Sequence, residues 1–173
     1  TTANTTHFIY RFDTITSAMV KETVSVTPNS AVVSAASFGD RLVMITSAGQ
    51  TVVRSAANNY VSAGTLPQTG VTWSDIVALD KDTWIACSGE NASKSYVAIS
   101  TNYGSSWVQK EVSSSNISLS GINYNPQAGT DGTVVVTGNA AAYVSTDKGT
   151  TWTATGNYKI PASQSVTPVG AGF

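Results

Sequence analysis

The chain has 173 residues, of which 41% are hydrophobic and only 11% charged, with a formal net charge of −1. That is enough chain for one domain with a real core, and its three arginines, Arg11, Arg41 and Arg54, form no basic patch, which excludes nucleic acid as an expected partner. No stretch reads as an amphipathic helix or approaches a membrane span, so membrane insertion is not expected either.

Taken in chain order, the sequence is a succession of short β-branched and aromatic runs separated by Gly, Asn, Asp and Ser, the expected strand signal. Phe8–Phe12 and Met19–Val24 come first and look like two outer strands with no inner partner. Ala31–Val33, Leu42–Ile45 and Thr51–Val53 then give three strands, followed by the turn Ser55–Tyr60 and a fourth strand. The next unit runs through Ser74–Ala78, Thr83–Cys87 and Tyr96–Ile99, with a fourth strand beginning at Trp107. It is repeated as Ser120–Tyr124, Thr133–Thr137 and Ala142–Val144, with a fourth strand beginning at Trp152. Gln164–Val169 reads as one more inner strand before the chain stops at Phe173.

The units are marked by a motif. Ser100-Thr101-Asn102-Tyr103-Gly104-Ser105-Ser106-Trp107 recurs as Ser145-Thr146-Asp147-Lys148-Gly149-Thr150-Thr151-Trp152, 45 residues further on. Both copies read Ser-x-(Asp/Asn)-x-Gly-x-(Ser/Thr)-Trp. Such a segment makes a tight turn. Asn102 or Asp147 bonds nearby backbone N–H groups, and Gly104 or Gly149 suits a positive φ. Ser106 or Thr151 ties the turn back, while Trp107 or Trp152 opens the next strand and buries a ring between sheets. Ser55–Tyr60 is a decayed version with Tyr60 in place of tryptophan. Gly70–Trp73 is a chance match, because Trp73 falls at the start of an inner strand.

The motif resembles the Asp-box of bacterial-neuraminidase-type repeats, and a repeat of this length implies a β-propeller. The fold expected from that resemblance is all-β. It has three complete four-stranded blades, over 31–73, 74–118 and 119–163, plus one blade split between strands of the N-terminal segment 7–26 and the C-terminal segment 164–173. In such families the box lies on the outer rim. Ser100, Asn102, Gly104, Ser106, Trp107, Ser145, Asp147, Gly149, Thr151 and Trp152 are therefore expected to be structural.

The sequence offers little chemistry. Cys87 is the lone cysteine and sits in an apolar strand, as a small buried hydrophobe would. His7 is the lone histidine, with no Gly-x-Ser-x-Gly elbow for a triad. Resemblance to sialidases would imply an arginine trio, a tyrosine nucleophile with a glutamate partner, and an acid aspartate. None of these transfers residue by residue, and Glu22 and Glu111 fall in outer strands. Asp75, Asp80 and Asp82 are the one carboxylate cluster a glycosidase could draw on, against a plainer reading as turn and surface aspartates. No cofactor is expected. Calcium held by Asp80, Asp131 or Asp147 has no loop spacing in its favour.

The expected function is a non-catalytic recognition module on an extracellular or virion surface, such as the receptor-binding part of a phage tail fibre, a spike or a secreted lectin-like protein. Its partner would be a glycan or cell-surface receptor, and homo-oligomerisation stays open. Asn58, Asn59, Tyr60 and Tyr103 are the loop residues that would meet a ligand, with Tyr60 as a core residue the competing reading. The alternatives are a protein-interaction scaffold and a fragment of a sialidase-like hydrolase.

Overall fold

The computed structural model describes residues 9–13, 15–24, 26, 28, 30–55, 59–67, 71–89, 94–115 and 117–155. Among them there is no helix, and every regular element is a strand. The fold is all-β and propeller-like. Three four-stranded antiparallel meanders follow one another along the chain and stack like blades. The first blade is β3 (Val32–Phe38), β4 (Arg41–Thr46), β5 (Gln50–Arg54) and β6 (Asn59–Thr65). The second is β7 (Trp73–Ala78), β8 (Trp84–Ser88), β9 (Ser95–Ser100) and β10 (Val108–Ser113). The third is β11 (Leu119–Asn125), β12 (Thr133–Gly138), β13 (Ala142–Ser145) and the short β14 (Thr153–Ala154).

Ahead of the blades, β1 (Ile9–Asp13) and β2 (Ala18–Val24) form an antiparallel hairpin. It joins the outer strand of the first blade, β6, through a short parallel pairing of Thr23 with Asn59 and Val24 with Tyr60. The inner strand expected over 164–169 to share a blade with this hairpin lies outside the described residues.

Alternation of side chains along each strand puts one face of a blade against its predecessor and the other against its successor. In β4, Val43 and Ile45 point to the second blade, while Met44 packs with Val52 and Tyr60 on the opposite face. In β8, Trp84 and Ala86 meet the first blade, while Ile85 and Cys87 meet the third. The junction between the first two blades is built around the fully buried Trp73 and Trp84. The junction between the second and third is aliphatic, around Ile85, Leu119, Val134 and Val136. Burying each such aliphatic side chain contributes about 1.5–3 kcal/mol. Both faces of the second blade are covered, which explains why all five residues of β8 are buried.

The inner strands β3, β7 and β11 lie beside one another and share an irregularity. Each shifts register at the same place, between Val32 and Ser34, between Trp73 and Asp75, and between Leu119 and Gly121. Such a bulge bends the strand and re-aims the residue that follows it. In the second blade that residue is Asp75. Its carboxylate accepts from Ser34 Oγ of β3 (2.6 Å), from its neighbour's Ile76 N–H (2.9 Å) and from Ile122 N–H of β11 (3.0 Å). One aspartate thus ties together the inner strands of all three blades.

Candidate functional site

Two repeated turns and one cleft concentrate the polar side chains that the fold positions. The turns follow the third strands of the second and third blades. In the first, Ser100 Oγ donates to Asn102 Oδ1 (3.0 Å) and accepts the Gly104 N–H (2.9 Å). Asn102 Oδ1 also accepts the Ser106 N–H (2.9 Å), and the Trp107 indole N–H reaches the Gly104 carbonyl (3.1 Å). The second turn repeats each bond. Ser145 Oγ donates to Asp147 Oδ1 (2.7 Å) and accepts the Gly149 N–H (2.8 Å). Thr151 N–H reaches Asp147 Oδ1 (2.9 Å), and Trp152 reaches the Gly149 carbonyl (3.0 Å).

The glycines have φ of 76° and 87°, and the residues before them, Tyr103 and Lys148, both stand at 55°. Two successive left-handed residues, closed by Ser105 N–H to Asn102 O and by Thr150 N–H to Asp147 O, make a type I′ turn. The left-handed Tyr103 and Lys148 were not foreseen from the sequence, which singled out only the glycines. Trp107 and Trp152 are half-buried and pack against the junction cores.

Burial alone would raise the Asp147 carboxyl. The hydrogen bonds from the Thr151 hydroxyl and N–H, from Ser145 and from the Thr150 N–H outweigh it and hold the group below the ordinary carboxylate range.

Each turn leans on the blade before it. Gly104 lies against Thr51 and Val53, and its carbonyl also accepts the Gly64 N–H (2.9 Å) of β6. Gly149 lies against Ile85 and Ile99. Tyr103 reaches much further. Its hydroxyl accepts the Leu42 N–H (3.1 Å) and faces the carbonyls of Arg54 (2.8 Å) and Leu42 (3.1 Å), to one of which it donates. Its ring packs 5.8 Å from that of Trp84, and the Arg41 guanidinium sits 4.6 Å from its centre. Burial pushes its phenol up.

The cleft lies where the hairpin meets the first blade. It encloses about 730 Å³, and its walls include Ile9, Tyr10, Glu22, Asp40, Arg41 and Tyr60. At its base Glu22, only 7% exposed, accepts from Arg54 Nη2 (2.8 Å) and from the Tyr60 hydroxyl (2.6 Å). Arg54 Nη1 also donates to the Asp40 carbonyl (3.1 Å). Burial, reinforced by the bond to the Glu22 carboxylate, pushes the Tyr60 phenol far up. Arg41 Nη1 is held by Asp82 Oδ1 (3.0 Å) and the Lys81 carbonyl (3.3 Å). A smaller recess of about 360 Å³ adjoins it, walled by Asp40, Arg41, Arg54 and Tyr103 among others.

Of the residues expected to meet a ligand, Tyr60 is 2% exposed and Asn59 half-buried in β6, Tyr103 is wedged between blades, and Asn58 lies outside the described residues. Asp75, Asp80 and Asp82 do not converge on either cavity. Asp75 holds strands, and Asp80 closes its own turn through the Asp82 and Thr83 N–H groups. Cys87 is fully buried, and burial pushes its thiol up to about 12. Among the described residues no group of three or more His, Cys, Asp or Glu gathers to hold a metal ion. The cluster of Glu22, Arg54 and Tyr60 went unforeseen, because the pairing of β2 with β6 that creates it leaves no local pattern in the sequence.

No protein-family model matches the chain, and no curated protein matches it.

Proposed function

We propose that this chain is an Asp-box-type recognition module that binds, without chemical change, a glycan or other surface receptor group in the cleft between the hairpin and the first blade. The observation that carries the reading is the cleft itself. Its volume falls within the roughly 300–1,000 Å³ of small-molecule sites. It combines an exposed aromatic, Tyr10, with polar groups fixed by mutual hydrogen bonds. A low charge density and a sequence rich in Ser and Thr support an extracellular or virion-surface setting, such as a tail fibre or a secreted lectin-like protein.

Two other readings have an observation in their favour. The bond from Tyr60 to Glu22 beside Arg54 has the residue types of a sialidase nucleophile pair, which favours a hydrolase fragment. Against it, Tyr60 is almost inaccessible and its phenol is made harder, not easier, to ionise. Ile15, 94% exposed, and Met19, 62% exposed, on the hairpin favour a protein partner.

The test is binding to a printed oligosaccharide array, with wild-type protein and Tyr10→Ala side by side, followed by mass spectrometry of the bound sugar. Binding that Tyr10→Ala weakens, with the sugar recovered intact, is the expected outcome. Recovery of a cleaved sugar would establish the hydrolase reading instead.

A further inference from the structure

Among the described residues the walls of the cleft carry two guanidinium groups and two carboxylates, and the two arginines are already matched within the protein. Arg54 is spent on Glu22 at 2.8 Å and on the Asp40 carbonyl, with its side chain only 14% exposed. Arg41 is held by Asp82 at 3.0 Å and by the Lys81 carbonyl, with its cationic face over the Tyr103 ring. The Glu22 carboxylate accepts on both oxygens, from Arg54 and from Tyr60.

We infer that the cleft takes an uncharged, hydroxyl-bearing saccharide and discriminates against acidic ones. This rests on the recognition reading above and narrows it. An entering carboxylate or sulfate would find no unmatched cation among the described residues of the cleft, because the charge of Arg54 is balanced by the buried Glu22 and that of Arg41 by Asp82. It would also face the Asp40 carboxylate on the wall. A sugar hydroxyl meets no such conflict. It can donate to Asp40, exchange bonds with the Ser37 hydroxyl, and accept from the half-exposed Arg41 guanidinium, which holds Asp82 and Lys81 through Nη1 and carries five donors. Tyr10, 53% exposed at the mouth, presents a ring face for the apolar side of the sugar.

The experiment uses the whole chain on matched array pairs, each a neutral oligosaccharide and the same backbone bearing a sialic acid, a uronate or a sulfate. Strong features are then titrated in solution. Neutral members are expected to bind at least about tenfold more tightly than their acidic partners, and by less than about twofold change between about 0.05 and 0.5 M salt. Tyr10→Ala and Asp40→Asn should each lower that binding about tenfold or more, with the thermal midpoint as the check on folding. Tighter binding of acidic members, still lost in Tyr10→Ala, would overturn the neutral-ligand inference while leaving the recognition cleft standing. Absence of binding, or binding indifferent to both substitutions, would overturn the cleft reading and this inference with it.

Discussion

The turns at 100–107 and 145–152 are the same device placed at two junctions, and they differ in what they reach. Internally they share the same framework of hydrogen bonds, down to the buried serine hydroxyl that accepts the glycine N–H. Externally the first is a latch. Its Gly104 carbonyl takes the Gly64 N–H, Trp107 bonds Thr51 Oγ1 (3.0 Å), and Tyr103 plugs into the backbone of the first blade. In the second, the position of Tyr103 is taken by Lys148, whose ammonium lies 3.7 Å from the exposed Asp131. The motif therefore sets the shape of the turn, while its unconstrained fourth position, together with what the glycine and tryptophan meet, differs in how it joins neighbouring blades.

The largest effect in breaking that contrast is expected from Gly64→Ala. A Cβ there would stand 2.6 Å from the carbonyl oxygens of both Gly104 and Ser105, which are backbone and have nowhere to go. The latch would be forced off its blade at a cost of about 3 kcal/mol, measurable by urea unfolding. A loss below about 0.5 kcal/mol would mean that the turn does not dock on β6. Next comes Tyr103→Phe, which keeps the ring on Trp84 but leaves the Leu42 N–H and the Arg54 carbonyl without their hydroxyl partner. It should cost about 1–3 kcal/mol, whereas Lys148→Ala, on an exposed pair, should stay within about 0.5 kcal/mol in the same melts.

Smaller, and expected to be equal at the two junctions, is the cost of Ser100→Ala and Ser145→Ala. Both serines are buried, and each removal strands a buried glycine N–H at roughly 1–2 kcal/mol. Unequal losses in parallel melts would show that the turns are not interchangeable inside, and the contrast would then lie in the motif as well as beyond it.

What the sequence made legible follows the range of the forces involved. The turns were legible because their bonds close within eight residues, so residue types at fixed spacing suffice to specify them. The strands were legible because β-branched runs bounded by turn formers act locally; the second strand of the middle blade, expected at Thr83–Cys87, is found at Trp84–Ser88. Tyr103 was misleading for the opposite reason. An aromatic in a polar turn looks available to a ligand, but its partners Leu42 and Arg54 lie 61 and 49 residues away. Glu22 and Tyr60, 38 residues apart, meet only because β2 runs parallel to β6, and nothing local specifies that pairing. Asp75 reads from the sequence only as a charge on an inner strand. Its role as a three-strand tie depends on the register shift before it, which interrupts the alternation that would otherwise reveal its direction.

The finest distinction between the turns is their third residue. Asn102 donates through Nδ2 to Ser106 Oγ (2.8 Å), whereas Asp147 accepts from Thr151 Oγ1 (2.6 Å), so the hydrogen sits on opposite partners in the two copies. Only the second turn can therefore feel acid. Because the Asp147 carboxyl is lowered in the folded chain, its contribution to stability is fully present above the unfolded value of about 3.9 and fades as pH falls through the folded one. Asp147→Asn should flatten the part of the stability loss below about pH 4 that belongs to this turn, with little change near neutrality, while Asn102→Asp should steepen it. Thermal melts of the three proteins across that range would check this. Parallel pH profiles for wild type and Asp147→Asn would mean that the Thr151 and Ser145 bonds do not favour the ionised carboxylate, and that the two turns are alike even in their chemistry.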